Sequence, residues 1–75
     1  MAETPLEPVL VTVDDQHVAA IQTVADALQH AGLQVTKVMP TTGIISGQVA
    51  HAQRQALASV PGVAAVETDE EMHAI

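Results

Sequence analysis

Apolar residues recur along the chain with two different periods, one typical of strands and one typical of helices. Four runs rich in β-branched residues, separated by Gly, Pro or polar positions, predict β-strands at 9–13, 33–39, 44–49 and 63–67. Two longer segments place apolar residues three and four positions apart, which predicts helices at about 16–31 and 50–60. The predicted order is therefore strand, helix, strand, strand, helix, strand.

The first helical segment has the clearest boundaries. Asp14 and Asp15 precede it, and both a capping side chain and negative charge favour a helix start. Gly32 follows it at the position where a left-handed C-terminal cap belongs. The stripe of apolar residues that this helix is expected to bury consists of Val18, Ile21, Val24, Ala25 and Leu28.

The second strand, the turn after it and the second helix also have recognisable patterns. Alternation in the second strand sets Val35, Lys37 and Met39 on the face opposite to the residues between them. Pro40 and Gly43 favour a turn, so the second and third strands should form an antiparallel hairpin. The second helix is expected to bury a stripe made of Ala52, Ala56, Leu57 and Val60.

Right-handed crossovers at both helices would place the four strands in one antiparallel sheet with both helices on one face. The predicted fold class is therefore α+β, a ferredoxin-like βαββαβ sandwich. The other sheet face is expected to stay open, to carry polar residues such as Thr12, Thr36 and Gln48, and to dock flatly on another protein. The predicted division of the chain is a flexible leader, a folded domain and an extended tail, at 1–8, 9–67 and 68–75.

The composition narrows the classes of partner. Nine acidic residues against two basic ones give a formal charge of −7, so that a nucleic acid would be repelled. The chain has no aromatic residue on which bases could stack, and no apolar run near the ~20 residues that span a bilayer. We therefore expect neither a nucleic-acid nor a membrane partner, and a free chain that is monomeric.

Catalytic and metal chemistry have little support in the sequence. Without cysteine there is neither a disulfide nor a thiolate pair for a soft metal. Ser46 and Ser59 belong to no recognisable nucleophile motif. The histidines are scattered, and we interpret them as exposed polar side chains: His17, His30, His51 and His73. We expect no enzymatic activity, no cofactor and no bound metal.

The C-terminal segment carries a more specific pattern. Residues 60–69 read Val-Pro-Gly-Val-Ala-Ala-Val-Glu-Thr-Asp, and the sequence then runs to His73-Ala74-Ile75. A helix that ends at a Pro-Gly loop, a strand of the type Val-Ala-x-Val-Glu-x-Asp and a His-Ala-apolar end resemble the closing segment of subtilisin propeptides. They also resemble the stand-alone subtilisin inhibitors related to those propeptides. The order of strands and helices is similar to that family from about Val9 onward.

The resemblance implies a protein inhibitor of subtilisin-like serine proteases. In that family the open sheet face packs on two protease helices, and acidic residues after the last strand cap the N-termini of those helices; Glu67 and Asp69 occupy the matching positions. The tail then lies in the substrate groove like a product and adds a strand to the protease. The tail residues implied to bind are Met72, His73, Ala74 and Ile75, with Ile75 in the primary specificity pocket.

Two features depart from the family pattern. The β-branched Ile75 stands where the family prefers a large aromatic or an unbranched apolar residue. Glu70 and Glu71 make the tail more acidic than the pattern requires, and an acidic run of this kind is also typical of a solvated segment.

Two alternatives to a stand-alone inhibitor stay open. One is a cleaved propeptide that acts as the intramolecular chaperone of a subtilisin-like protease, and the other is a ferredoxin-like regulatory or ligand-binding module. The sequence starts at Met1 with an acidic, proline-containing segment, unlike the basic start of a signal peptide. This favours a stand-alone, cytoplasmic inhibitor, or a secreted protein if the chain is a trimmed part of a longer one.

Overall fold

A computed structural model describes residues 6–69, which form four strands and two helices in the predicted order. The strands are β1 (Leu6–Val13), β2 (Gln34–Met39), β3 (Ile44–Ala50) and β4 (Val63–Thr68). The helices are α1 (Ile21–His30), which follows a 3₁₀ turn at Val18–Ala20, and α2 (His51–Ala58).

The strands form one antiparallel sheet in the order β2-β3-β1-β4, which is the predicted α+β, ferredoxin-like arrangement. Its register assigns each residue to a face. Val11 pairs with Ile45 and Val66 on the face that the helices cover, whereas its neighbour Leu10 pairs with Glu67 on the opposite face. The paired strands therefore have one buried face and one exposed face.

The hydrophobic core lies between the sheet and the two helices and contains only aliphatic side chains. Leu28 of α1 and Leu57 of α2 are completely shielded from solvent. The other buried core residues are Val9, Val11, Val13, Ile21, Val24, Ala25, Leu33, Ile45 and Val49. One continuous core thus joins both helices to one face of the sheet.

The C-terminal end of α1 has the predicted glycine cap. The Leu33 N–H donates to the Leu28 carbonyl over 2.9 Å and the Gly32 N–H donates to the Gln29 carbonyl over 3.1 Å, which together make a Schellman motif. Gly32 adopts a φ of 114°, which L side chains rarely allow. Leu28 and Leu33 both lie in the core, so the cap also closes the apolar end of the helix.

The N-terminal end of α1 differs from the prediction. The helix begins at Ile21, and Asp14 caps an earlier turn, in which its Oδ1 accepts a hydrogen bond from the His17 N–H over 3.0 Å. The 3₁₀ turn then connects this capped turn to the helix. An Asp side chain readily closes such a local turn, so the acidic pair marks the start of the connection and not of α1.

Strand β1 begins at Leu6, three residues before the predicted start, so the expected leader extends into the sheet. Alternation continues back from Val9 to Glu7, which shares the helix-covered face. Pro8 is accommodated because its carbonyl accepts from the Asp69 N–H, one residue beyond β4. The missing N–H of this proline therefore falls where the pairing of β1 with β4 ends.

The alternation predicted for β2 is broken by a bulge at Thr36. Val35 pairs with Gly47 and Lys37 with Ser46, so two residues of β2 fill one step of the ladder. The predicted grouping of Val35 with Lys37 is therefore wrong. The bulge lets the Thr36 hydroxyl donate to the Ser46 carbonyl over 3.1 Å, and it turns both valines of the strand toward the core.

The buried stripe predicted for α2 is also wrong in part. Leu57 is buried as expected, but Ala52 and Ala56 are exposed, and Val60 lies after the helix and is half-buried. The helix contacts the sheet through the buried Leu57 and through the half-buried Arg54, which lies about one turn earlier. None of the helices within residues 6–69 is long and apolar enough to cross a membrane.

Candidate binding site at the end of strand β4

The two carboxylates singled out by the sequence lie at the end of β4. Glu67 is exposed and its position in the register places it on the face opposite the helices. Asp69 is only 8% exposed, and its N–H donates to the Pro8 carbonyl over 3.0 Å. The structure thus brings the pair together at one edge of the sheet but leaves them in different environments. The predicted tail contacts, Met72, His73, Ala74 and Ile75, lie outside the described residues.

The sheet face opposite the helices, which we call the open face, is mainly uncharged. Leu10, Thr12, Ile44 and Ser46 lie on its central strands, and Met39 and Ala65 lie on its edge strands. Lys37 lies on the edge strand β2, and Glu67 lies on the edge strand β4. The open face therefore combines a weakly polar centre with one positive and one negative charge at opposite edges. Gln48 also lies on this face, as the sequence suggested.

A polar cluster joins β1, α2 and β4 beneath the start of α2. Glu7 accepts a hydrogen bond from Arg54 Nη1 over 2.6 Å and another from His51 Nδ1 over 3.0 Å. Arg54 Nη1 also donates to Thr68 Oγ1 over 2.8 Å. We call these four residues the Glu7 cluster. It links the first residues of β1 to the last residue of β4 through a side chain of the helix.

The Glu7 cluster has a defined charge balance. Hydrogen bonds from His51 and then from Arg54 hold the pKa of Glu7 below its ordinary value, against the opposing effect of partial desolvation. The side chains of Glu7 and Arg54 are 26% and 28% exposed, whereas that of His51 is 87% exposed. The pair of Glu7 with Arg54 is therefore the better shielded part of the cluster.

An open groove runs between α2 and β4 beside this cluster. Its volume is about 490 Å³. The lining residues are His51, Ala52, Arg54, Gln55, Ala58 and Val66. The groove lies on the helix side of β4, away from the open face, so it is separate from the surface that the sequence predicts to dock.

The other titratable groups make local contacts. His17 Nδ1 donates to Asp14 Oδ1 over 2.7 Å, and this hydrogen bond keeps the pKa of Asp14 below its ordinary value. His30 Nδ1 donates to the Asp26 carbonyl over 2.9 Å within α1. Within residues 6–69, three or more His, Asp or Glu side chains do not gather in a way that could hold a metal ion.

Glu7 and Arg54 are the residues of this region that the sequence analysis missed. The signals were present, because Glu7 keeps the alternation of Val9 and Val11, and Arg54 lies three residues before Leu57. These spacings place Glu7 on the helix-covered face and Arg54 on the sheet-facing side of α2. Searching the apolar stripes for charged residues at the same period would have paired them.

Comparison of the chain with protein-family models, with curated protein sequences and with solved structures finds no match.

Proposed function

We propose that this protein inhibits subtilisin-like serine proteases by docking the open face on the protease and placing its C-terminal segment in the substrate groove. The observation that carries the proposal is the position of Glu67, exposed on the open face at the end of an edge strand. The sequence continues from there into the segment that resembles the inhibitory end of subtilisin propeptides.

The open face has properties suited to such docking. Its centre consists of short aliphatic, hydroxyl and small residues, which can pack on the surface of two helices without burying an unpaired charge. The exposed carboxylate of Glu67 lies at the margin, where it can accept hydrogen bonds from the free N–H groups at a helix N-terminus. Both features favour a protein partner that presents helix ends.

Asp69 has a different role in this proposal. Because Asp69 as a whole is only 8% exposed in the free chain, a contact with the protease would require it to become accessible. We therefore assign the larger part of the carboxylate contribution to Glu67. The hydrogen bond from the Asp69 N–H to Pro8 keeps the backbone extended where the chain leaves the sheet.

The C-terminal segment completes the proposed mechanism. Ile75 would enter the primary specificity pocket, His73 and Ala74 would line the groove, and Met72 would fill the apolar pocket upstream. Backbone hydrogen bonds to the protease would add this segment as a strand. Inhibition follows from occupancy of the groove, and the folded domain strengthens it because the segment is already attached to a docked surface.

The test is inhibition of a subtilisin by four chains: the full sequence, the sequence ending at Glu71, Glu67→Gln and Asp26→Asn. We expect competitive inhibition by the full chain and its loss on removal of Met72 to Ile75. Glu67→Gln should weaken inhibition about 2- to 30-fold, since a carboxylate at a helix N-terminus contributes about 0.3–2 kcal/mol. Asp26 is exposed on α1, away from the open face, so Asp26→Asn controls for the loss of one negative charge.

Three results would count against parts of the mechanism. Equal inhibition by the full and the shortened chain would remove the tail from it. If Glu67→Gln and Asp26→Asn weaken inhibition equally, Glu67 contributes only through the net charge of the chain and not through a specific contact. If the full chain fails to inhibit even with Ile75→Tyr, which gives the pocket a larger residue, the inhibitor proposal is wrong. A regulatory module would then be the better hypothesis.

A further inference from the structure

The end of β4 is attached to the domain differently from its beginning. Val63 and Val66 pack against the core, but the last two residues of the strand, Glu67 and Thr68, are exposed. β4 is also an edge strand, paired with β1 on one side. Apolar packing therefore holds β4 only as far as Val66, and the end of the strand depends on directional contacts.

Arg54 supplies such a contact from a separate element. Its Nη1 atom donates to Glu7 Oε2 over 2.6 Å and to Thr68 Oγ1 over 2.8 Å. The side chain of Arg54 is 28% exposed and lines the groove between α2 and β4. A planar guanidinium can direct two hydrogens of one nitrogen to two acceptors, so it fixes Thr68 relative to both Glu7 and α2.

We propose that Arg54 is a positioning residue that holds the end of β4 and sets the direction in which the chain leaves the sheet. Glu7 orients the guanidinium, and Thr68 is the group that it holds. The functional consequence rests on the proposed inhibitor mechanism. A segment that leaves the sheet in a fixed direction loses less conformational freedom when it enters a protease groove, so Arg54 strengthens inhibition without touching the protease.

The first measurement is amide hydrogen exchange by NMR, which needs no protease. Arg54→Met keeps most of the apolar stem and removes the donors, whereas Thr68→Val removes the acceptor and leaves Glu7 with its guanidinium. In both variants the Asp69 N–H should exchange about tenfold faster, as expected for loss of a hydrogen bond to a charged donor. Amides of β1 should change only with global stability. In the double variant the Asp69 N–H should exchange no faster than in either single variant, because both substitutions remove the same contact between Arg54 and Thr68.

Matched controls separate this role from a general effect on folding. Gln55→Met changes the next residue of α2, which lines the same groove, and should leave the Asp69 exchange rate unchanged. Arg54→Lys should restore only part of the protection, because an ammonium group cannot reproduce the planar fork. If exchange at Asp69 rises only in step with that of β1, or if Asp69 shows no protection in the unmodified chain, the positioning role is refuted.

The second measurement is inhibition of a subtilisin at a temperature where all variants are folded. Arg54→Met and Thr68→Val should inhibit about tenfold more weakly than the unmodified chain, and Gln55→Met should inhibit equally. Faster exchange with unchanged inhibition would overturn the link between the contact and the tail. Faster exchange in a chain that inhibits no subtilisin would support the positioning contact and reject the proposed inhibitor function, so the two failures are distinguishable.

Discussion

The two helices cover the same face of the sheet, but different kinds of contact hold them there. α1 buries four residues, Ile21, Val24, Ala25 and Leu28, and ends in a glycine cap that adds Leu33 to the core. α2 buries Leu57 and adds the hydrogen bonds of Arg54 to Glu7 and Thr68. In the first half of the domain α1 is therefore held mainly by apolar area, whereas in the second half α2 is held by one buried leucine and a polar cluster.

The two kinds of contact have different consequences, one for the stability of the domain and the other for the position of its parts. Burial of apolar area is non-directional and supplies most of the free energy of folding. Hydrogen bonds between partly exposed groups contribute less free energy but fix orientation. The proposed binding end of the molecule lies in the half that depends on such bonds. We therefore expect α2 and the end of β4 to open locally at a lower free energy than β1 and α1.

The largest expected effects come from truncating the two fully buried leucines, Leu28→Ala and Leu57→Ala. Each should destabilise the domain by about 2–5 kcal/mol, because each deletes a completely shielded side chain. The two variants should differ in where protection from hydrogen exchange is lost. In Leu28→Ala, α1 still has Ile21 and Val24 in the core, whereas Leu57 is the buried residue of α2. Urea denaturation measures the free energy of unfolding, and hydrogen exchange locates the loss of protection.

In Leu57→Ala the amides of α2 should exchange well before those of β1, and in Leu28→Ala the whole domain should lose protection together. Uniform loss of protection in both variants would mean that the two halves are equally cooperative. In that case the comparison between apolar and polar attachment would fail.

The next largest effect is expected on the pH dependence of stability. The hydrogen bonds of Glu7 in the second half of the domain should make the chain less stable in acid, by less than either leucine truncation does. The pKa of Glu7 is lowered in the folded chain, so its ionised form favours folding. This contribution is complete above the ordinary Glu pKa of about 4.3 and is lost as the pH falls through the lowered value. Glu7→Gln should therefore reduce the thermal midpoint at neutral pH and converge with the unmodified chain in acid.

Asp14→Asn gives the matched measurement in the first half. The pKa of Asp14 is lowered by its hydrogen bond with His17, so the sign of its pH dependence is the same. Its side chain is 39% exposed, compared with 26% for Glu7, and its contact closes a local turn instead of joining three elements. A larger decrease in the thermal midpoint for Asp14→Asn than for Glu7→Gln would mean that polar contacts matter more in the first half of the domain than in the second, contrary to our interpretation.

The sequence was sufficient where burial repeats with a regular period. The order of elements, four of the five residues of the α1 stripe and the glycine cap at Gly32 all follow from spacing, and the structure confirms them, whereas Val18 lies half-buried in the 3₁₀ turn before α1. The bulge at Thr36 was not predictable from alternation. It depends on a cross-strand hydrogen bond to Ser46 and on the packing of Val35 and Val38 against the core. Irregularities of this kind arise from tertiary contacts that a single period cannot encode.

The candidate site was predictable in one respect and not in another. The motif around Glu67 placed two carboxylates at the end of β4, where the structure has them. Their different exposure depends on how the chain folds around Asp69, and the motif says nothing about it. The Glu7 cluster joins residues 47 positions apart, and pairing charged residues over that distance requires the strand order as well as the local pattern.

The smallest expected effect concerns the alanines of α2 and tests the comparison most directly. Ala56 is exposed, so Ala56→Gln should change the free energy of unfolding by less than about 0.5 kcal/mol. Ala25 of α1 is 3% exposed, and Ala25→Gln should cost at least about 1–3 kcal/mol through overpacking and burial of an amide. Urea denaturation of both variants decides the point. Equal losses would mean that α2 buries its alanine stripe as the sequence alone predicts, and that apolar packing secures both halves alike.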